Sequence, residues 1–439
     1  MRRLALVLTL TTLIAATAGP DQKPLSRLTT RDGQFVDGHG RVALLRGANV
    51  PAHVFKPIPY GPKDIEALKG FGFNFIRLGI SWDKVEPAAG EYDLEYLRSV
   101  AAFARLCGEA GIYVMPEVHK FGWCAPGSDV PTWLCDPPVT GGDDFVGMFK
   151  NADRFWDDPA VQDKFIALWK LVIAEFKDLD CVIGYNPMNE PLASTMFIPG
   201  LFDRKLFAFY DRFIAAIRPL DPDRPIILEP CTANLIIPMV VPPGFKRDNL
   251  AYAPHPYYAH QNFGSYFWHE PETDYGQEKK YFRNSLEAKR LGGPLLIGEY
   301  GGDPDTRFAR HWLLKTWRLQ DRYFVGAAIW SYDKSGESWA ILNPDYSRRE
   351  FFDRNLRRPY PRATAGKPVQ LKVDAEHRTF VFRWRPDASI AAPTEIFIPA
   401  EYMKGKLLVS AGRWRYDEGL ELLTVENPEG TGEARVEIK

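Results

Sequence analysis

The chain has 439 residues, 45% hydrophobic and 25% charged, with a formal net charge of −1. That is the profile of a globular protein long enough for one large domain and a small companion. A near-neutral balance without a basic patch argues against nucleic acid as a partner. Aromatic residues are plentiful (12 Trp, 19 Tyr and 28 Phe), enough to fill a core or to offer flat faces to sugar or lipid.

The chain opens with MRRLALVLTLTTLIAATAG, two arginines and then an apolar stretch ending in Ala16-Thr17-Ala18. This predicts a signal peptide over 1–18, cleaved after Ala18, and an exported protein, secreted or periplasmic. The stretch is short and Thr-rich for a membrane span, so an uncleaved anchor is the lesser reading. No Cys follows it to carry a lipid. After a polar leader, GQFVDGHGRVALLRGANV has two apolar runs flanking the turn DGHG, a predicted hairpin.

A strand-then-helix rhythm follows. GANV, FNFIRLGI, IYVMPEVH, CVIGYNPMNE, RPIILEP, LAYAPHPYY, PLLIGEYG and VGAAIWSYDK read as strands. Between them LEYLRSVAAFARLCGEAG, VQDKFIALWKLVIAEFK, LFAFYDRFIAAIR, KKYFRNSLEAKR and RFARHWLLKTWRLQD have helical spacing. About eight strands alternating with helices predict a (β/α)8 barrel over 25–360, an α/β fold. The Arg-, Pro- and Ala-rich run LRRPYPRATAGKP reads as a boundary. Beyond it, VQLKV, TFVFRWR, TEIFIPA, KLLVS, LELLTV and ARVEI are short alternating runs. They predict a C-terminal antiparallel β-sandwich over 366–439, packed against the barrel, with carbohydrate binding as the sharper alternative.

Of five cysteines, Cys124 and Cys135 bracket one loop and are placed to staple it, which export permits. Cys107 and Cys181 lie in apolar stretches and read as buried thiols. Neither CxxC nor HExxH occurs, so no zinc site is expected.

Chemistry in such barrels collects at the C-terminal ends of the strands. Here those ends carry Arg77, then Glu117 and His119, Asn189 and Glu190, His255 and Tyr257, Glu299, and Trp330. Each alone has a packing explanation, but six strands ending this way on one rim do not. Two glutamates on facing strands suit glycosidic cleavage, one protonating the leaving oxygen and the other attacking the anomeric carbon or activating water. Arg77 beside Glu299 would keep it ionised, and Glu190 would stay protonated beside that charge. Asn189 can donate to a sugar 2-hydroxyl, and Trp330 offers a flat face to a ring.

The set FIRLGISW, EVH, NPMNEP, HPYY, IGEYGG and IWSYD resembles glycoside hydrolase family 5, over about residues 35–360. The resemblance implies Glu190 as acid/base and Glu299 as nucleophile, supported by Arg77, His119, Asn189, His255, Tyr257 and Trp330, with no cofactor. RGANVP, RLGISWDKVEPAAGEYD and RRPYPRATAG are similar to the endoglycoceramidase branch, which cleaves between a β-linked glycan and ceramide. That implies a glycolipid or oligosaccharide substrate and transient contact with lipid aggregates or a membrane surface, by a monomer. The loops STMFIPGLF and NFGSYFWHE then become candidates to receive lipid chains. The branch pattern Asp-x-His-Gln-Asp is replaced here by Glu117-Val118-His119-Lys120-Phe121, which leaves the glycan open. Lys56, after the first strand, is a candidate sugar-binding amine.

Three other readings compete. One is an endo-β-glucanase or mannanase acting on soluble polysaccharide. Another is an inactive glycan-binding protein on the same fold, disfavoured because both glutamates are present. The last is a metal-dependent hydrolase using Glu117, His119 and His255, which insensitivity to a chelator would dismiss.

Overall fold

The protein is described by a computed structural model covering residues 25–141, 144–257, 274–410, 412–427 and 432–439. The signal-peptide assignment (1–18) and the loop NFGSYFWHE (262–270) lie outside the described residues. The chain begins with a small antiparallel meander of β1 (Thr29–Arg31), β2 (Gln34–Val36) and β3 (Val42–Ala43).

The barrel strands follow: β4 (Arg46–Val50), β5 (Phe75–Ser81), β6 (Tyr113–His119), β7 (Ile226–Leu228), β8 (Leu250–Tyr252), β9 (Leu296–Tyr300) and β10 (Gly326–Ile329). Five pair in parallel in the order β6-β5-β4-β10-β9, and β7 pairs with β8. The segment 182–186 stands between β6 and β7 through the bridges Val114↔Val182, Glu117↔Asn186 and Tyr185↔Ile226, and Tyr252↔Leu295 joins β8 to β9. The ring of eight is thereby closed. The fourth position, expected as a full strand over CVIGYNPMNE, is held by bridges alone. Pro187 has no N–H to extend the ladder.

Local chemistry sets the helices between these strands. Asp93 caps the helix Leu94–Glu109 by accepting the Tyr96 N–H at 2.9 Å, and Leu97, Val100, Ala101 and Ala104 form its buried stripe. Asp158 caps the helix Pro159–Phe176, whose first-turn proline is pre-set for helix. A helix at Phe145–Asp157 was not anticipated. Its inward residue Phe155 meets Trp123, Phe165 and Phe209 edge-on or tilted.

Strand alternation divides the barrel interior into two zones. Near the strand starts, Leu45, Phe75, Met115, Ile183, Ile227, Ala251, Leu296 and Ala328 pack with Leu28 and Phe35, which plug the lower end. Two residues further along, the same inward positions turn polar: Phe75 is followed by Arg77, and Met115 by Glu117 and then His119. The site is therefore the upper storey of the barrel core, resting on an apolar floor.

The C-terminal strands are β11 (Tyr360–Thr364), β12 (Gly366–Asp374), β13 (Thr379–Pro386), β14 (Thr394–Phe397), β15 (Leu407–Val409), β16 (Trp414–Asp417), β17 (Leu422–Val425) and β18 (Ala434–Ile438). They form two sheets, β1-β2-β3-β11-β14-β17-β16 and β12-β13-β18-β15, around a core that includes Phe380, Phe382, Trp384, Ile396, Phe397 and Val436. Both expected boundaries need correction. The N-terminal meander, assigned to the barrel, belongs to a sandwich sheet, because β3 lies beside β11 and pairs with it through Ala43↔Ala363 and Val42↔Thr364. The run read as a boundary contains β11, which accommodates Pro361 at a register shift against β14. Ion pairs and hydrogen bonds lock sandwich to barrel: Arg358 to Asp321 at 3.0 Å, Tyr360 Oη to the Gly72 carbonyl at 2.8 Å, and Arg357 to Glu401. Among the described residues no helix is long and apolar enough to cross a membrane.

Candidate active site

Arg77, on β5, is fully buried at the centre of the polar storey. Its guanidinium donates to Glu299 at 2.6 Å, to Glu229 and Asn189 at 2.9 Å, and to Asn49 and Asn186 at 3.0 Å, and lies 3.4 Å from Glu117. Burial opposes its charge, but Glu117, Glu229 and Glu299 together raise its pKa above the ordinary value. One cation thus organises residues from five positions around the barrel.

Glu299, at the end of β9, also accepts the Tyr257 hydroxyl at 2.9 Å. Glu190 stands across the opening and accepts from His255 Nδ1 at 3.1 Å. One oxygen of each carboxylate and a ring nitrogen of His255 all lie within 4.8 Å of one another. Glu190 has a positive φ of 45°, unusual for a non-glycine residue. Its N–H donates to Glu229 Oε2 at 2.8 Å. Its carbonyl accepts from Lys120 Nζ at 2.6 Å and Thr232 Oγ1 at 3.2 Å. Asn189 is fixed at both ends of its amide, its oxygen accepting from Arg77 and its nitrogen donating to the Lys120 carbonyl at 2.9 Å.

On the other wall, Glu117 accepts from His119 Nδ1 at 2.7 Å. The His119 ring stacks on His53 at 3.8 Å and faces the half-buried Trp330 at 5.4 Å. The close approach is possible because β5 carries glycine here: a Cβ on Gly79 would come within 2.3 Å of His53 Nδ1. In the same way a Cβ on Gly298 would come within 2.7 Å of His255 Nε2.

The electrostatics of the site follow from burial and these contacts. Burial disfavours a charged His255, yet Glu229, Glu299 and Glu190 raise it to about 10, so it is an imidazolium at neutral pH. Burial likewise opposes the Glu229 charge, but His255 and Arg77 bring it down to about 2. Burial pushes Glu117 up to about 7 against the pull of Arg77, and pushes His119 well below its usual range, leaving it neutral. Glu299 is pushed up to about 7 by burial against His255 and Arg77, while Glu190, despite burial, is held below the ordinary carboxylate range by His255. The site therefore orders the pair opposite to the sequence-based expectation, because His255 sits nearer Glu190 (3.1 Å) than Glu299 (3.7 Å).

The structure gathers Arg77, Glu117, His119, Asn189, Glu190, His255, Tyr257, Glu299 and Trp330 into one cluster. Lys56 is not part of it: its ammonium is nearly half-exposed and pairs with Asp93 at 2.7 Å, drawn to the helix-capping carboxylate. The amine that reaches the cluster is Lys120. His255 does not join Glu117 and His119 as a third metal-type ligand; His53 does, with ligand atoms within 4.8 Å. In that trio Glu117 is already engaged by Arg77 and His119. Five residues escaped the sequence reading: Asn49, His53, Lys120, Asn186 and Glu229. Glu229 carried a signal, since RPIILEP ends in the same Glu-Pro pair as NPMNEP. Cys124 and Cys135 form a disulfide, and Cys107, Cys181 and Cys231 are buried thiols.

Comparison with known proteins gives this geometry a family. Residues 36–336 match Cellulase (glycosyl hydrolase family 5), and residues 358–439 match the glycoside hydrolase family 5 C-terminal domain. Endoglycoceramidase I of Rhodococcus hoagii (strain 103S) is 28% identical, with 94% of this chain and 88% of that protein covered. Endo-glycoceramidase II from Rhodococcus sp., solved with ganglioside GM3, superposes with a TM-score of 0.81 at 27% identity, covering 93% of this chain and 99% of that one. The same enzyme solved as a lactosyl-enzyme intermediate gives 0.78 at 26% identity, covering 95% and 99%.

Proposed function

This chain belongs to glycoside hydrolase family 5 and is a glycosidase; from that premise we propose that it is a retaining β-glycosidase that cleaves the bond between a glycan and ceramide. The observation that carries retention is the approach of Glu190 and Glu299, with carboxylate oxygens within 4.8 Å. Retaining pairs stand about 5 to 5.5 Å apart, whereas inverting pairs need about 6.5 to 9.5 Å to admit water.

In the reaction, Glu299 attacks the anomeric carbon as Glu190 gives its proton to the glycosidic oxygen. The aglycone leaves as an alcohol and the sugar is held as an ester of Glu299. Water then attacks the same carbon, Glu190 takes its proton, and Glu299 departs, giving the β-configured sugar. Arg77 and Tyr257 are fixed donors to Glu299 and stabilise it as the ester breaks. His255 favours an ionised Glu190, so the one proton of the pair has to pass from Glu299 to Glu190 as the glycosidic oxygen comes to accept a hydrogen bond there. Asn189 keeps one amide hydrogen for the sugar, since its oxygen is turned to Arg77. The related enzyme captured as a lactosyl-enzyme intermediate supports the covalent step.

Two observations support a glycolipid substrate. The relatives are endoglycoceramidases, one solved with ganglioside GM3. The segments that leave the third to fifth barrel positions expose Phe121, Phe145, Val146, Phe197, Ile198 and Ile236, an apolar rim suited to acyl chains and to a lipid surface. The family description, Cellulase, favours a second reading, endo-hydrolysis of a soluble β-glucan. Export belongs to the same proposal, and the Cys124–Cys135 disulfide accords with an oxidising compartment. The functional unit is taken as one chain, which supplies every residue of the cluster.

Trapping with a 2-deoxy-2-fluoro glycoside tests the chemistry. Peptide mapping is expected to place the label on Glu299, and NMR to find the β-anomer first. A label on another residue, or an α-anomer, would contradict the reading.

A further inference from the structure

Lys120 is the least expected member of the cluster. It follows His119 at the end of β6. The residue is 4% exposed, and its ammonium donates to the Glu190 carbonyl at 2.6 Å while lying 5.7 Å from the centre of the Trp123 ring. Its own carbonyl accepts from the Asn189 amide. Lys120 therefore grips the Asn189-Glu190 pair at two points.

Packing alone does not account for a cation here. Thr232 Oγ1 offers its single hydrogen to the Glu190 carbonyl at 3.2 Å and the Pro191 carbonyl at 3.1 Å, and burying an ammonium is costly when a neutral donor such as this would serve. The surroundings explain the charge. Four largely buried carboxyls (Glu117 on β6, Glu190, Glu229 after β7, and Glu299 on β9) share the site with Arg77, His255 and Lys120, while His119 and His53 are neutral. Glu190, Glu229 and Glu117 each attract the Lys120 ammonium. The peptide it holds is also strained, with Glu190 at φ 45°. A carbonyl gripped by a charge-assisted hydrogen bond cannot rotate without breaking it.

We propose that Lys120 is a positioning residue for the reaction: it holds the Glu190 backbone in its left-handed conformation, and so aims the acid/base carboxyl, while offsetting the excess of carboxylates around it. The proposal rests on Glu190 as the acid/base. Burial pushes the ammonium down to about 8, with Glu190 opposing, so it is mostly charged at neutral pH. Removing that charge makes deprotonation of the neighbouring carboxyls harder and moves the loss of activity at high pH upward.

The test uses the full chain as wild type, Lys120→Met, Lys120→Arg and Glu190→Gln. Each is assayed against aryl β-lactosides with good and poor leaving groups across pH, with melting temperatures measured alongside. Lys120→Met is expected to lower kcat for the poor leaving group by about 10- to 100-fold, with KM changed less than about 2-fold. The loss is expected to be smaller for the good leaving group. The alkaline limb of kcat/KM should rise by about one pH unit, and Lys120→Arg should recover most of both. An unshifted limb with unchanged kcat would overturn the proposal. So would an equal loss for both leaving groups that tracks a lower melting temperature, which is what a purely structural lysine gives. Full turnover of the poor leaving group by Glu190→Gln would instead remove the acid/base assignment itself.

Discussion

Glu190 and Glu299 have the same side chain, and their neighbours set them apart. Glu299 receives two fixed donors, Arg77 and Tyr257, whereas Glu190 has His255 and a backbone held from three sides. Glu190→Gln and Glu299→Gln are each expected to cut kcat on a natural glycoside by about 10³-fold or more with melting unchanged. Near-normal turnover in either would sink the assignment. Azide is expected to rescue Glu299→Gly and give an α-glycosyl azide, because it attacks from the side Glu299 has vacated. The pH profile follows from the pair acting as a unit. The working state holds one proton on the pair. That proton is lost as pH rises through about 7, where burial places Glu299, so kcat/KM is expected to peak on the acid side of neutrality and fall above it. A flat profile from pH 6 to 9 would contradict this. Which residues gather at the mouth was legible from types at strand ends. The order of ionisation was not, because it depends on the distances from His255 to each carboxyl.

At the scale of elements, the alternation Phe75-Arg77-Gly79 and Met115-Glu117-His119 lays a polar storey on an apolar floor. The sequence reading found the ends of six strands, offered only Lys56 after the first and left the fifth blank. Asn49 and His53 belong to the first and Glu229 to the fifth. Asn49 is one polar residue in an apolar run, and His53 lies beyond the strand, so neither departs from ordinary loop chemistry. The two glycines make a sharper statement. Gly298 leaves space for the His255 ring, since a Cβ there would stand 2.7 Å from Nε2. Gly298→Ala is expected to push His255 off both glutamates and lower kcat by about 10- to 100-fold. Wild-type kinetics in this variant would mean that the ring tolerates displacement. The eight strand positions were readable from periodicity. The helix Phe145–Asp157 was missed because FVGMFKNADRFWD follows directly on a Pro- and Gly-rich loop.

At the scale of the whole molecule, barrel and sandwich do not separate where composition changes. The sheet carrying β11 and β14 also carries β1 to β3, and a Cβ on Gly72 of the barrel would lie 2.1 Å from the Phe397 ring. Composition could mark the switch from helices to strands at Arg-Pro-Tyr-Pro, but a long-range pairing such as Ala43↔Ala363 leaves no local signal. Deleting residues 358–439 is expected to expose the β3 edge and the apolar surface beneath Phe397, giving an insoluble or partly melted barrel. A soluble truncated chain with unchanged melting would refute that dependence. The most direct measurement is product analysis after incubating the full chain in detergent with glucosylceramide, a longer-glycan ceramide and a soluble β-glucan. Free ceramide together with an intact oligosaccharide is expected from the longer-glycan lipid. Release of sugar from the soluble glucan alone, with both lipids untouched, would contradict cleavage between glycan and ceramide.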